Sequence, residues 1–275
     1  MDNHINLPSL VVGKTAQLSN YFPKEYVCVS SRHDLTAYTK TKWDTVYLCF
    51  GENRTYMAHS DSIEIRDIFY SVNHRKTVDV VEMFVPCSRR IVVYSTAELW
   101  NDCIGPVGTN TFYQYRTNHY IQSKYNMTVE LKNKDKYPTV SIAYPFNFNG
   151  VYRQGNFLFG KVFSSILKKT PIQLGDTYYY RDIIHPKCAA IESMIDRGGV
   201  DFMIGSGRLV HVNDLIRSLY DSFSMSYNEM VSEEILEPAI YRKRLFYSDT
   251  PAKNSSEQSL LATLIEEIRK YKNEN

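Results

Sequence analysis

Tyr120 and Lys124 stand four residues apart in a segment, 119–131, whose apolar residues recur at helical spacing, so both side chains project from one helix face. A phenol is a poor base at its ordinary pKa of about 10, but a neighbouring ammonium favours the phenolate, by about 1.4 kcal/mol for each unit of depression. Upstream, the apolar run 90–94 ends in Ser95 and Thr96, with Glu98 two residues further on. Ligands of open α/β sheets sit beyond the carboxyl ends of strands, so these groups are expected to face the same crevice as Tyr120. A hydroxyl bonded to a substrate oxygen, a phenol shuttling its proton and a lysine orienting a cofactor make a hydride-transfer site. Thr96, Glu98, Tyr120 and Lys124 are the catalytic candidates.

Residues 13–19, "GKTAQLS", directly follow the first strand-like run. A helix opening there would present free backbone N–H groups and a partial positive charge to a pyrophosphate, which makes Gly13, Thr15, Ala16, Gln17 and Leu18 cofactor-binding candidates. Of a G-x-x-G-x-x-G pattern only Gly13 is present, with Ala16 and Ser19 at the other two places. A plain strand-to-helix turn is the competing reading. Beyond the second strand-like run comes "SSRHD", whose Arg32 suits a 2′-phosphate through charge-assisted hydrogen bonds. The cofactor expected is therefore NAD(P), with NADP favoured over NAD, unless Arg32 is simply a solvated surface residue.

These residues need elements that bring strand ends together. Short β-branched runs at 9–12, 26–29, 45–49, 90–94 and 139–143 alternate with helical spacing at 63–72, 77–84 and 119–131. That is the pattern of βαβ units and a mainly parallel sheet, buried on both faces. The expected fold class is α/β: a Rossmann-like doubly wound parallel sheet with a small C-terminal substrate-binding region. Residues 1–150 are expected to form the dinucleotide-binding domain and 151–275 mainly the substrate region, with a segment near 181–196 returning to the first. A helix over 157–169 and a short strand at 172–174 open the second region. Leu260, Leu261, Leu264, Ile265, Ile268 and Tyr271 mark a terminal helix over 257–272, with Ser255 and Gln258 spaced as a capping box.

The 275 residues carry 32 Lys plus Arg against 30 Asp plus Glu, a formal charge of +2, so no nucleic-acid partner or anionic membrane surface is expected. The longest apolar runs are about five residues, against the roughly 20 that span a bilayer. A cytoplasmic location is the expectation. Cysteines at 28, 49, 87, 103 and 188 form no C-x-x-C arrangement, and the histidines show no metal-ligand spacing, so neither a metal nor a disulfide framework is expected. The 22 tyrosines concentrate in 113–125 and 178–180, where their rings offer apolar faces with polar tips.

Between about residues 9 and 206 the motifs "GKTAQLS", "WDTVYLCF", "VNHRKTVDVVE" around Asn73, "YSTAELW", "YIQSK", "PFNFNG" and "PIQLGDTYYYRDIIH" follow in order. Together they resemble the extended short-chain dehydrogenase/reductase superfamily, in its nucleotide-sugar epimerase and dehydratase branch. The resemblance implies NAD(P) lined by Cys49, Phe50 and Asn73, and a nucleoside-diphosphate sugar as the partner. It also implies oxidation of the sugar at carbon 4 by Thr96, Tyr120 and Lys124, with Ser95 and Thr96 at the substrate and Asn147 and Arg181 near its diphosphate. A homodimer through the helices bearing 77–84 and 120–131 is implied as well. Glu98 matches a Ser-Thr-x-Glu arrangement in which the carboxylate serves as a base in dehydratases and decarboxylases. Ala97 stands where one group of dehydratases has an aspartic acid, so epimerase, dehydratase and decarboxylase chemistry all stay open. Two further readings stand beside these: a Rossmann-like binding or structural protein without turnover, and an NADPH-dependent ketosugar reductase.

Overall fold

The computed structural model describes residues 7–112, 118–234, 244–253 and 255–274, so Tyr113 and Tyr115 of the tyrosine-rich stretch lie outside it. The chain forms two compact units. Residues 1–99, 112–145 and 193–203 make the first; 100–111, 146–192 and 204–275 make the second. Against the division expected from sequence, 100–111 joins the second unit, and the returning segment is 193–203.

The first unit is built on a six-stranded sheet of β1 (Leu10–Val12), β2 (Val27–Val29), β3 (Trp43–Leu48), β4 (Ser88–Tyr94), β5 (Val140–Pro145) and β6 (Phe202–Ile204). Its order is β6-β5-β4-β3-β1-β2. The registers of β1 with β2 and β3, of β3 with β4 and of β4 with β5 are all parallel. This is the Rossmann-like parallel sheet that the alternating runs imply. The order reverses around β1, which places a switch point between β1 and β3, where open α/β sheets bind their ligands.

The connection from β1 to β2 departs from the expected strand-to-helix passage. After Gly13 the chain forms only a five-residue 3-10 helix, Gln17–Tyr21, with no side-chain cap at Ala16. The stop signal is Pro23, which biases the residue before it toward extended backbone; Phe22 has φ −77° and ψ 157°. Gly13 itself is irreplaceable on steric grounds. Its φ is +122°, and a Cβ there would lie 2.7 Å from the backbone nitrogen of Phe50. Gly13→Ala is expected to destabilise the first unit by about 2–3 kcal/mol, measured by urea unfolding.

α1 (Ile63–Tyr70) and α2 (Lys76–Phe84) are joined by a π turn, Ser71–Arg75, into one helical stretch where the sequence suggests two separate helices. α3 (His119–Leu131) has the expected bounds. Asn118 caps it, its Oδ1 accepting from the backbone of Tyr120 at 2.9 Å and Ile121 at 3.3 Å, which satisfies two of the donors every helix start leaves open.

In the second unit α4 (Leu158–Lys168), α5 (Val212–Ser222) and the terminal α6 (Glu257–Glu274) enclose a core that includes Phe163, Ile166, Leu215, Leu219, Leu264 and Ile268. The apolar spacing of the terminal helix is thus spent on packing. Its cap is Ser256, whose Oγ accepts from Ser259 N at 3.1 Å, and not Ser255, whose hydroxyl donates to Ala252 O. Short strand pairs fix the loops: Asn147–Phe148 with Ile183–Ile184, and Tyr180–Arg181 with Val210–His211. Buried Asp182 clasps two more segments. Its carboxylate accepts from Ser206 N at 2.6 Å, Ser206 Oγ at 2.7 Å, Gly207 N at 3.2 Å and Ser248 N at 3.0 Å. Among the described residues no helix is long and apolar enough to cross a membrane.

Candidate active site

Lys124 is the least ordinary residue of the first unit: a lysine only 6% exposed. Its Nζ donates to the carbonyl oxygen of Tyr94 at 2.7 Å, which ties the second turn of α3 to the carboxyl end of β4. Burial pushes its pKa down to about 8, with no carboxylate among the causes. That carbonyl is its one hydrogen bond among the described residues, so an ammonium with three N–H donors keeps capacity for further acceptors. Ligand hydroxyls, such as the diol of a ribose, suit that demand, and in this respect the residues fit a nicotinamide cofactor.

Around Lys124 the chain is braced by buried polar contacts centred on Asn73, the residue that the resemblance sets beside the cofactor. Asn73, fully buried in the π turn, donates from Nδ2 to Glu52 O at 2.9 Å and Ser123 Oγ at 3.1 Å, while its Oδ1 accepts from Glu52 N at 2.8 Å. Ser123 Oγ in turn donates to Tyr120 O at 2.8 Å. π turns inserted in helices recur at functional sites, and this one turns Asn73 toward the loop after β3. A Cβ on Gly51 in that loop would lie 3.1 Å from Asn73 Oδ1 and 3.5 Å from Lys124 Nζ. Asn73→Ala is expected to cost about 3 kcal/mol in a denaturant titration, because it strands the Glu52 N–H and C=O without partners.

Thr96 follows the carbonyl that holds Lys124 by two residues, which puts it at the same end of β4. It is buried, and its Oγ1 accepts from the backbone of Glu98 at 3.2 Å. Half-buried Glu98 is the second residue of the 3-10 turn Ala97–Trp100. Ser95 Oγ and Thr128 Oγ1 share a buried 2.7 Å hydrogen bond, so this hydroxyl braces β4 against α3. The Tyr120 ring packs edge-on against Phe69, centroids 6.2 Å apart.

The glycine-turn candidates lie on the loop after β1. Gly13 N and Lys14 N both donate to Val29 O, at 2.8 and 3.0 Å, so these two amides serve the fold. Lys14 and Thr15 are exposed, and Ala16, Gln17 and Leu18 lead into the 3-10 helix. Arg32 is exposed beyond β2, its backbone N–H on Ser30 Oγ at 3.2 Å. Cys49 and Phe50, half-buried after β3, pack against Gly13 through their backbone. Burial raises the Cys49 thiol pKa far above its ordinary value, so it stays a neutral side chain.

Asn147 and Arg181 belong to the second unit. Asn147 Nδ2 donates to Asp182 O at 3.4 Å. The buried Arg181 guanidinium donates from Nη1 to Tyr180 O at 2.7 Å and lies over the Tyr179 ring, 4.8 Å from its centroid. Among the described residues no group of three or more His, Cys, Asp or Glu is arranged to hold a metal ion.

No protein-family profile and no curated protein matches the chain in sequence. Solved structures do match in shape. A UDP-N-acetylglucosamine 4-epimerase from Methanobrevibacter ruminantium, in complex with UDP-N-acetylmuramic acid, superposes with a TM-score of 0.78 at 13% identity, covering 98% of this chain and 99% of the epimerase. The UDP-glucose 4-epimerase of Thermotoga maritima, with UDP-glucose, gives 0.78 at 14%, covering 96% and 99%. A dTDP-glucose 4,6-dehydratase from Streptomyces venezuelae, with NAD bound, gives 0.72 at 17%, covering 97% and 98%. The chain has their fold. That likeness of fold extends over nearly its whole length.

Proposed function

We propose that the protein modifies a nucleoside-diphosphate sugar with the help of NAD(P), through a transient ketone at carbon 4 of the sugar. The observation that carries this reading is Lys124: a buried ammonium with no carboxylate partner among the described residues, bonded to the carbonyl two residues before Thr96 and on the same helix as Tyr120. Burying a charge is costly unless it is paired, and a scaffold gains nothing from it there. Structures of the same fold hold NAD, NADPH or UDP-sugars, which supports that ligand pair for this chain.

When bound, NAD(P) supplies a hydride acceptor for the sugar carbon and afterwards a donor. The protein's own groups handle the proton. Thr96 Oγ1 hydrogen-bonds the sugar oxygen and holds it toward Tyr120. The Tyr120 phenolate takes the hydroxyl proton as the carbonyl forms and returns it on re-reduction. Lys124 lowers the cost of that phenolate electrostatically and spends its remaining N–H groups on ribose hydroxyls. Glu98 is positioned by sequence to remove a proton beside the ketone, the step that separates elimination or decarboxylation from simple epimerisation. Arg32 and its neighbouring serines favour NADP over NAD, Arg181 and Asn147 take the diphosphate, and two copies associate through α2 and α3.

One observation favours a second reading, in which the chain binds a sugar nucleotide without turnover. The pyrophosphate-binding helix start is reduced to a five-residue 3-10 helix, with the Gly13 and Lys14 amides already spent on Val29. Fluorescence titration of the purified protein with NADH, NADPH and UDP-sugars separates the two. The enzymatic reading expects saturable binding of a reduced nicotinamide as well as the sugar nucleotide. Binding of the sugar nucleotide with neither NADH nor NADPH favours the second.

A further inference from the structure

A second buried cation lies away from the proposed site, on the opposite part of β4. Arg90 is only 3% exposed, and neither its Nε nor its Nη2 has a hydrogen-bond partner among the described residues. It stands in register with Thr45 of β3 and on the same face as Val92, which pairs with Ser141 of β5. Thr139, the residue just before β5, continues the pairing with β4, its carbonyl accepting from Ile91 N at 3.0 Å, and that register sets it beside Arg90. Thr139 Oγ1 and Ser141 Oγ are likewise buried without partners. Four unpaired polar atoms, on β4, on β5 and on the residue that leads into β5, all able to donate, thus lie next to one another in the register of the sheet.

The charges nearby compensate this cation only in part. Burial disfavours the charged form of Arg90 most; Tyr47, Asp196 and Tyr94 favour it, and Arg197 opposes it. Asp196 is already engaged, with Arg89 at 3.4 Å and with Gly198 N at 3.0 Å, and its side chain is 53% exposed. Arg197 adds a further positive charge. Desolvation of an unpaired guanidinium costs several kcal/mol, and arginine cannot relieve the cost by losing its proton at any ordinary pH. A neutral water would satisfy hydrogen bonds but not the charge. The Nε and Nη2 edge of a guanidinium is the fork that grips an anion from the side.

We propose that Arg90, Thr139 and Ser141 form an internal site for one small monovalent inorganic anion of halide size, bound by the Nε/Nη2 fork and the two hydroxyls. The site neutralises Arg90 within the sheet and is independent of the nucleotide-sugar reading, since it uses none of those residues. A ligand that binds only the folded state stabilises it in proportion to the logarithm of its concentration above the dissociation constant.

The test uses the whole protein, dialysed into gluconate and titrated with bromide at constant ionic strength. Melting temperature is expected to rise saturably by a few degrees, and crystals grown in bromide are expected to show an anomalous peak within hydrogen-bond distance of Arg90 Nε and Nη2. Arg90→Met is expected to abolish the bromide response. Ser141→Ala, which keeps the cation, is expected to raise the half-saturating bromide concentration about tenfold. A melting temperature indifferent to bromide, ordered water alone beside Arg90, or an undiminished response in Arg90→Met or Ser141→Ala would each overturn the proposal.

Discussion

Tyr120→Phe is expected to lower turnover of a sugar nucleotide by about 100- to 10,000-fold, the range over which a positioned general acid–base contributes, while leaving binding and melting temperature nearly unchanged. The substitution removes one oxygen and no apolar contact, so the edge-on packing of the ring against Phe69 persists. The cap on α3 depends on Asn118 and backbone N–H groups and is equally untouched. Steady-state assays across several UDP- and dTDP-sugars, with NADH fluorescence as the binding control, check it. A loss confined to the Michaelis constant would point to a binding role and not to proton transfer.

The second large effect concerns stability. Lys124 has its pKa pushed down to about 8 in the folded protein by burial, against about 10.5 when exposed. Between these values the unfolded chain binds more protons than the folded one, so stability rises with pH through that window. A 2.5-unit shift is worth about 3 kcal/mol at 1.36 kcal/mol per unit. Below about pH 8 the folded state bears this full penalty. Lys124→Met removes the charge at the cost of one hydrogen bond of about 1 kcal/mol. The variant is therefore expected to be more stable than the parent near neutral pH by about 2 kcal/mol, and inactive. Its advantage should shrink as pH rises from 8 toward 10. Above about pH 10 buried Tyr47 and Tyr94, whose pKa values burial raises, act in the opposite sense in both proteins. Urea unfolding of both proteins at intervals across pH 7 to 10 gives the comparison; parallel curves would show that Lys124 does not bear the cost inferred for it.

Much of the first unit was legible because its inner strands are continuous apolar, β-branched runs, and a strand buried on both faces has few alternatives, whereas edge strand β2 is exposed at Val27 and Cys28. The helix carrying Tyr120 and Lys124 was legible for a related reason: helical spacing continued unbroken from 119 to 131 and matched the observed bounds. The π turn was not. One extra residue per turn leaves no compositional mark, so 63–84 reads as two helices, and the bonds by which Asn73 grips the backbone of Glu52 have no signal in the sequence. The curtailed helix after β1 does have a signal in the sequence, Pro23, which biases Phe22 toward extended backbone. The two-residue strands of the second unit are too short to show any period. Ser95 illustrates a further limit, since a hydroxyl at a strand end suggests a ligand, yet its bond to Thr128 depends on a partner 33 residues away.

Of all measurements, single-turnover transfer from a sugar nucleotide deuterated at carbon 4 bears most directly on the proposed chemistry. Label is expected to pass to the oxidised nicotinamide with a primary isotope effect in the parent protein, and to remain on the sugar in Tyr120→Phe. If the parent binds both ligands and the deuterium nevertheless stays on the sugar, the phenol, hydroxyl and ammonium at the end of β4 do not form a redox site.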